Sequence, residues 1–313
     1  MITLPDVEDA RRRLRGRVRT TPVVEVDPGA FAPAARMWLK LEQLQHTGSF
    51  KARGAFNRVL SAAETGRLPD AGVVAPSGGN AGLAVAYAAA ELGAPAEVYV
   101  PETAPEVKVA RLRSLGAVVV QTGTRYADAL EAALKRSADT GALFCHAYDQ
   151  PEICAGQGTL GLELLEQTGG EVDTVLLSVG GGGLMAGVAA AAEGRAKVVG
   201  VEPETIPTLR AALAAGHPVT VDVSGVAADS LGASRAGDIP LAVARRAGVA
   251  SVLVTDDSIV EARRFLWQEY RLAVEHGTAA AVAALRSGAY TPAPEERVAI
   301  IICGANTDPS DLR

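Results

Sequence analysis

The chain has 313 residues, of which 48% are hydrophobic and 21% are charged, with a formal net charge of −6. This balance is typical of a globular protein long enough for two domains, and the negative charge argues against nucleic acid or a membrane surface as partner. The opening segment lacks the pattern of a secretory signal and the alanine-rich run 186–192 is too short to span a bilayer, so we expect a cytoplasmic protein. The odd number of cysteines, three, argues against a disulfide framework.

Strand-like and helix-like segments alternate along the chain, which predicts parallel sheets covered by helices. The predicted strands are 73–76, 96–100, 117–121, 174–178, 197–201, 251–254 and 298–302. The predicted helices are 83–92, 106–115, 125–140, 154–167, 184–193, 256–272 and 277–286. Residues 222–240 have turn chemistry and little periodicity, so we expect a long loop or a mobile edge there.

The segment from about 72 to 148 has the pattern of a small four-strand unit inserted into a larger one. We therefore expect a small domain at 72–148 and a large domain formed by 1–71 and 149–313.

Lys51, one of only five lysines, lies in the small-residue turn Gln45–Gly54, between the apolar run Met37–Leu39 and a helix-like stretch. A lysine amine becomes a nucleophile at neutral pH only when desolvation or nearby positive charge lowers its pKa. A tight turn could supply that desolvation, although most lysines are solvated surface charges. Lys51 is thus a catalytic candidate that needs support from other segments.

A glycine turn, Pro76–Gly82, follows a predicted strand and precedes a predicted helix. In this geometry the free N–H groups at the start of the helix can face an anion. The alternative interpretation is a tight turn in which Asn80 caps the helix. The sequence alone leaves both open.

A second strand–glycine–helix junction contains four consecutive glycines in Ser178–Leu184. Because each glycine costs backbone entropy, we expect close approach of the main chain to a phosphate rather than packing to explain them. A rival interpretation is a dinucleotide site, since Gly181-x-Gly183-x-x-Ala186 is followed about 20 residues later by Glu202.

Together and in this order, the three segments resemble those of the pyridoxal-phosphate enzymes of fold type II, and among these the serine/threonine dehydratase (ammonia-lyase) family. The resemblance covers nearly the whole chain. It extends to Leu39–Glu42, Ala155–Glu163, Val201–Pro203 and Ile302–Asn306. It implies an α/β fold of two domains, each a twisted, mainly parallel sheet with helices on both faces, the small domain closing over a cofactor held on the large one.

The resemblance also implies pyridoxal phosphate as cofactor and assigns roles to residues. Lys51 would hold the cofactor and later remove the α-proton, and Phe50 would pack against one face of the ring. Asn80 would hydrogen-bond the ring hydroxyl. Ser77 is the second catalytic candidate. The substrate carboxylate would be held by Ser77, Gly78, Gly79 and Asn80, and the phosphate by Gly180, Gly181, Gly182, Gly183 and Leu184.

Cys303 would face the pyridine nitrogen, where many relatives have serine. A thiol cannot keep that nitrogen protonated as a carboxylate does, which favours β-elimination over transamination. The alternative for Cys303 is a small buried residue at a strand end. Gly78 stands where serine racemases of this family carry a second serine, so we expect little racemisation.

Glu202, Ile206 and Thr208 match the positions where family members bind a cation. One carboxylate with neutral oxygens suits a monovalent ion such as K⁺ or Na⁺ better than Mg²⁺. The alternative is an ordinary surface glutamate after a strand. His276 is a further candidate pocket residue, although a capping or interface histidine is the commoner case.

We therefore expect a homodimeric enzyme that converts L-serine, L-threonine or a related β-hydroxy amino acid into a 2-oxo acid and ammonia. Two alternatives remain. One is β-replacement as in cysteine synthases, whose phosphate loop is usually of the Gly-Thr-Gly-Gly-Thr type. The other is a protein that binds a dinucleotide without covalent attachment, or a catalytically silent ligand sensor on the same scaffold.

Overall fold

Two β-sheets organise the computed structural model, which describes residues 1–27, 29–34 and 36–312. The larger sheet has the strand order β1-β2-β10-β7-β8-β9 and the smaller one β5-β4-β3-β6. The strands are β1 (Val23–Glu25), β2 (Arg36–Lys40), β3 (Val73–Ala75), β4 (Ala96–Val100), β5 (Val118–Gln121), β6 (Leu143–Phe144), β7 (Thr174–Ser178), β8 (Lys197–Pro203), β9 (Ala250–Val254) and β10 (Arg297–Ile301).

Twelve α-helices in the described ranges cover these sheets. They are α1 (Leu4–Arg13), α2 (Lys51–Glu64), α3 (Asn80–Glu91), α4 (Glu106–Ser114), α5 (Tyr126–Thr140), α6 (Pro151–Gln167), α7 (Gly183–Ala192), α8 (Thr208–Ala215), α9 (Ala228–Leu231), α10 (Asp238–Ala247), α11 (Asp256–Tyr270) and α12 (His276–Arg286). Over the same ranges, no helix combines the length and apolar character needed to cross a membrane.

All strand pairs are parallel except β1 with β2, at one edge of the larger sheet. The central strand β10 has the continuous apolar run Val298–Ile301, every residue of which is buried. Continuous burial is expected where helices cover both faces of a parallel sheet. The predicted fold class is therefore confirmed.

The predicted elements are all present, with ends that differ by a few residues. No predicted strand covers β1 or β6, and no predicted helix covers α1, α8, α9 or α10. Residues 222–240 are not a featureless loop, because they contain α9 and the start of α10. All four strands of the smaller sheet lie within the predicted small unit, while the boundaries at 72 and 148 stay a prediction.

Small residues of α6 allow three helices to pack unusually closely. A Cβ atom on Gly156 would lie 2.6 Å from the carbonyl oxygen of Arg53 in α2. A Cβ atom on Gly158 would lie 2.6 Å from the carbonyl oxygen of Gly187 in α7. The family-like segment Ala155–Glu163 therefore fixes α2, which begins at Lys51, relative to α7, which begins at the four-glycine loop.

A network of buried ion pairs holds α2 in place through Arg53. The Arg53 guanidinium donates to Glu42 at 2.9 and 2.6 Å and to Glu163 at 3.0 Å. Lys40 is fully buried and donates to Glu163 and to the carbonyl oxygen of Thr21. Two cations thus balance two carboxylates, as burial of charge requires. The family-like residues Lys40 and Glu42 therefore help to hold the position of α2.

Candidate active site

Neighbouring strands of the larger sheet bring three candidate segments to one edge. β2, β10 and β7 are adjacent and parallel, so the segments that follow them leave the sheet at its carboxyl edge. The Phe50 N–H donates to the carbonyl oxygen of Cys303 at 3.0 Å. Lys51, Cys303 and the loop after β7 therefore meet, although they are far apart in sequence.

Lys51 is the first residue of α2, and its environment is that of an activated amine. Its Nζ donates to the carbonyl oxygen of Ala147 at 2.7 Å and lies 5.1 Å from the centroid of the Phe50 ring. Desolvation by burial lowers the pKa of Lys51 from 10.5 to about 8. A substantial neutral fraction near physiological pH is what a nucleophile or base needs.

The turn before Lys51 is conformationally unusual. Thr47 has φ +61° and Gly48 has φ +78°, the left-handed region that few side chains adopt. A Cβ atom on Gly48 would lie 2.7 Å from Oδ1 of Asn306. The hydroxyl groups of Thr47 and Ser49 are buried without a hydrogen-bond partner among the described residues. Buried unpaired hydroxyls beside an activated amine are compatible with a site for a polar ligand.

The first glycine loop follows β3 in the smaller sheet. Ser77 Oγ accepts a hydrogen bond from the Gly79 N–H at 3.3 Å, and Asn80 begins α3. A Cβ atom on Gly79 would have no described atom within 4 Å, so the main chain there faces open space. A Cβ atom on Gly78 would lie 3.3 Å from Val100. The Ser77 hydroxyl and the first N–H groups of α3, from Asn80 onward, can therefore present donors to a substrate.

Asn80 connects this loop to the larger sheet through two residues to which the sequence motifs assigned no role. Its Nδ2 donates to Oε1 and Oε2 of Glu275 at 2.8 and 3.1 Å, and its Oδ1 accepts from Asn306 Nδ2. Oε1 of Glu275 also accepts from the Asn306 N–H at 2.9 Å. Glu275 is only 6% exposed, and burial raises its pKa. Asn306 is the last residue of the motif Ile302–Asn306 and Glu275 adjoins His276, but neither residue was assigned a role from the sequence.

The four-glycine loop is tightly packed against protein on one side. A Cβ atom on Gly181 would lie 2.4 Å from the Tyr148 ring, and one on Gly180 would lie 3.2 Å from the backbone of Leu231. Gly182 has φ +92°. The expectation that packing does not explain these glycines was wrong, because a side chain at Gly181 would collide with Tyr148.

The other side of this loop carries the N-terminus of α7. The Ala186 N–H bonds to the carbonyl oxygen of Gly182 at 2.8 Å, within the first turn. In an α-helix the N–H groups that precede such a bond have no partner within the helix and point out of its end. The N–H groups of Gly182, Gly183 and Leu184 are thus positioned to face an anion.

Cys303 follows β10 and is buried, with a pKa raised to about 12 by burial. Its Sγ lies 3.2 Å from Oγ1 of Thr278, which also donates to the carbonyl oxygen of Gly304 at 2.9 Å. At physiological pH Cys303 is therefore a neutral thiol, and it cannot act as a carboxylate-like partner of a protonated ring nitrogen.

Glu202 caps the N-terminus of α8. Its carboxylate is fully buried and accepts from the N–H groups of Leu209 at 2.6 Å and Arg210 at 2.9 Å, and from the hydroxyls of Thr208 and Ser251. A carboxylate held in this way cannot reach a ribose hydroxyl, which argues against the dinucleotide interpretation. The described residues hold no cluster of three or more His, Cys, Asp or Glu side chains able to bind a metal.

Two sequence candidates lie outside the cluster around Lys51. Ile206 is buried, and its N–H donates to the carbonyl oxygen of Pro203 at 3.0 Å, beside Glu202. His276 begins α12, and burial, followed by the charge of Arg263, lowers its pKa. A separate groove of about 740 Å³ between α1 and α6 has mainly charged walls and contains none of the residues proposed for chemistry.

The residues that do converge suit a cofactor with an aldehyde, an aromatic ring and a phosphate. Lys51 provides the amine, and the end of α7 provides anion donors next to the Tyr148 ring. Phe50 adjoins both Lys51 and Cys303, and Asn80 donates to Glu275, which acts on the pKa of Lys51.

The chain is similar to known proteins over nearly its whole length. The family model described as "Pyridoxal-phosphate dependent enzyme" matches residues 14–304. An L-threonine ammonia-lyase from Thermotoga maritima is 36% identical over 98% of this chain and 76% of its own length. A phenylserine dehydratase from Ralstonia pickettii is 38% identical over 98% of this chain and 94% of its own length.

A solved structure agrees with these relatives. Maize serine racemase superposes with a TM-score of 0.91 at 30% identity, covering 99% of this chain and 95% of its own. The resemblance predicted from the motifs is thereby confirmed. This chain belongs to the pyridoxal-phosphate-dependent enzymes of fold type II, in the serine/threonine dehydratase family.

Proposed function

We propose that this enzyme converts L-serine, L-threonine or a related β-hydroxy amino acid into a 2-oxo acid and ammonia, by elimination of water followed by hydrolysis of the product. The observation that carries the proposal is the Lys51 amine, with a pKa of about 8, next to Cys303 and between two glycine loops. Relatives named threonine ammonia-lyase and phenylserine dehydratase support dehydration as the reaction.

Each part of the cofactor has a residue to hold it. Lys51 would bind the aldehyde carbon and Phe50 would pack against the ring. Asn80 would hydrogen-bond the ring hydroxyl. Cys303 would face the ring nitrogen as a neutral thiol. The N–H groups from Gly180 to Leu184 would hold the phosphate at the positive end of α7.

The chain's own groups perform the proton transfers. Pyridoxal phosphate, when bound, supplies the electron sink for the pair released with the α-proton. Ser77, Gly78, Gly79 and Asn80 would hold the substrate carboxylate, and Nζ of Lys51 would accept the α-proton. A proton delivered to the β-hydroxyl lets it leave as water. Water then re-enters at Cα, and ammonia leaves.

Cys303 favours this outcome over transamination. A neutral thiol does not keep the ring nitrogen protonated, so a carbanion at Cα is poorly stabilised and the β-substituent leaves promptly. β-Replacement remains the competing activity within the same fold. The two activities differ in product, a 2-oxo acid against a substituted alanine.

Product analysis on L-serine, L-threonine and phenylserine tests the proposal. We expect a 2-oxo acid and ammonia in equal amounts from at least one of these substrates. Lys51→Ala should lower turnover by at least about 10³-fold, because the cofactor attachment and the base disappear together. Lys135→Ala is the control, since Lys135 is exposed and pairs with Asp139 on the same helix. A Lys51→Ala enzyme with near-normal turnover would contradict the role of Lys51.

We also propose a monovalent cation, K⁺ or Na⁺, at Glu202, Ile206 and Thr208. Thr208 Oγ1 lies between Glu202 and the carbonyl oxygen of Gly180, so a cation there would connect the strand β8 to the glycine loop. Exchange of Na⁺ for K⁺ should shift the melting temperature, and Ser251→Ala, which leaves these three residues intact, should retain the shift. An identical ion response in Glu202→Gln would place the cation elsewhere.

Two further proposals concern the domains of the chain and its oligomeric state. Residues 72–148 would form a small domain that closes over the site, and two chains would form a homodimer in the cytoplasm. Lys108 in α4 pairs with Asp229 in α9, which supports closure because the pair joins the two predicted domains. Sedimentation analysis tests the dimer, and small-angle scattering with and without substrate tests closure.

A further inference from the structure

The turn between β6 and α6, residues 146–149, contacts three parts of the site at once. The carbonyl oxygen of Ala147 accepts from Lys51 Nζ at 2.7 Å. The Tyr148 ring covers Gly181. The Asp149 carboxylate accepts from the first two N–H groups of α10, Asp238 and Ile239, at 3.0 Å each. A change in this turn would therefore move the amine, the phosphate loop and α10 together.

The side chain of His146 determines the shape of this turn. Its Nδ1 accepts from the N–H groups of Tyr148 at 3.2 Å and of Asp149 at 2.9 Å. Asparagine commonly makes this pair of bonds to its own backbone at the start of a turn. Two donors that converge on Nδ1 require a lone pair there, so the proton of the neutral ring is on Nε2.

Protonation of His146 is incompatible with this arrangement. A proton on Nδ1 would point at two N–H donors, and both hydrogen bonds would be lost. The charged groups that face the ring are Asp149, Lys51 and Arg235, and its apolar neighbours include Tyr148 at 4.6 Å between ring centroids. Burial is the largest influence on its pKa and lowers it, so the neutral ring prevails near pH 7.

We propose that His146 is a positioning residue whose neutral ring holds the Ala147 carbonyl against the free Lys51 amine and the Tyr148 ring against the glycine loop. The proposal rests on the proposed function, because the free amine is the state in which Lys51 moves the α-proton. At low pH, protonation of His146 would break both hydrogen bonds that hold the turn. Activity would therefore fall as the pH drops through the pKa of His146.

Two substitutions separate the hydrogen bonds from the ring. His146→Asn places an oxygen that cannot titrate where Nδ1 lies, and His146→Leu fills the space without an acceptor. The His146→Asn enzyme should retain most of the wild-type kcat near neutral pH. Its kcat should no longer show the fall at low pH that protonation of His146 causes in the wild type. The Leu enzyme should lose kcat on the order of 10²-fold at every pH, with a smaller change in KM.

A second readout does not depend on turnover. In the full-length protein with its cofactor, labelled with ¹⁵N-tyrosine, the Tyr148 amide is assigned by its absence in Tyr148→Phe. Its proton shift should titrate in the range of a histidine in the wild type and stay flat in His146→Asn. Failure of the wild type to form any 2-oxo acid would contradict the proposed function without affecting this titration.

Three results would overturn the role of His146. The first is a Tyr148 amide shift that does not titrate, or that titrates equally in His146→Asn. The second is a His146→Asn enzyme whose kcat falls at low pH just as that of the wild type does. The third is a Leu enzyme as active as the Asn enzyme, which would reduce His146 to a packing residue.

Discussion

The two glycine loops have the same local pattern and opposite surroundings. Each follows a parallel strand and begins a helix, Ser77–Gly79 in the smaller sheet and Gly180–Gly182 in the larger one. A Cβ atom on Gly79 would meet nothing within 4 Å, whereas a Cβ atom on Gly181 would be 2.4 Å from Tyr148. The first loop is thus open to a ligand, and the second is shaped by its protein neighbours.

This difference shows that a glycine-rich junction has more than one physical cause. In the open loop, the missing side chain leaves room for a substrate. In the packed loop, glycine lets Tyr148 and Leu231 approach from one side while the N–H groups at the start of α7 remain free on the other. We expect the open loop to control substrate affinity and the packed loop to control cofactor binding and stability.

A pair of matched substitutions gives the largest expected contrast. Gly181→Ala should destabilise the fold by about 1–3 kcal/mol and weaken cofactor retention, because the new methyl group must displace the Tyr148 ring. Gly79→Ala adds the same methyl group to open space, so its melting temperature should match the wild type while KM rises. Thermal melts, cofactor absorbance after dialysis and KM distinguish the two.

Opposite results would reverse the comparison. If Gly79→Ala lost cofactor and Gly181→Ala changed only KM, the loops would have exchanged roles.

The sequence predicted the contents of both loops better than their surroundings. Lys51, Asn80 and the glycines lie in contiguous motifs, so the resemblance identified them. Tyr148 and Glu275 act through contacts that tertiary packing creates, such as the pair Asn80–Glu275, 195 residues apart. No periodicity indicates that β2 and β10 are neighbours, and this pairing places Lys51 beside Cys303.

Some elements that were not predicted nevertheless have a recognisable signal in the sequence. Helix α1 begins with Pro5 in its first turn and with a capping box formed by Thr3 and Asp6. The packing of Gly181 had no such signal, because nothing local places the Tyr148 ring against it. The ordered part of 222–240 was missed for a similar reason, since Asp149 caps α10 from a distant segment.

Glu275 provides a smaller test of how the open loop is tied to the larger sheet. Glu275→Gln can keep Oε1 as acceptor for Asn80 and Asn306 while it removes the charge, whereas Glu275→Ala removes both. Because the pKa of Glu275 is raised in the folded protein, its ionisation destabilises the fold as pH rises above its ordinary value. The Gln variant should therefore be at least as stable as the wild type at neutral pH.

The Ala variant should be less stable by about 1–3 kcal/mol, because Asn80 and the Asn306 N–H lose a buried acceptor. Melting temperatures across pH 5 to 8 are the measurement, and Glu261→Gln on the exposed face of α11 is the control. Equal stability of the Ala and Gln variants would show that Glu275 does not hold Asn80.

Gly78 gives the smallest expected effect and the finest test of the open loop. The enzyme has no side chain at this position to deliver a proton to the far face of the substrate, so L-serine should give pyruvate and ammonia with very little D-serine. Gly78→Ser returns a hydroxyl, but its Cβ would lie 3.3 Å from Val100, a contact that requires Val100 to shift by a few tenths of an ångström. We expect a small gain in racemisation together with a rise in KM. Gly78→Ala, which adds the same Cβ without the hydroxyl, should raise KM without the gain. Chiral analysis of unreacted L-serine after partial conversion measures racemisation by both variants. In the wild type, D-serine that accumulates as fast as pyruvate would show that another acid delivers the proton to the far face.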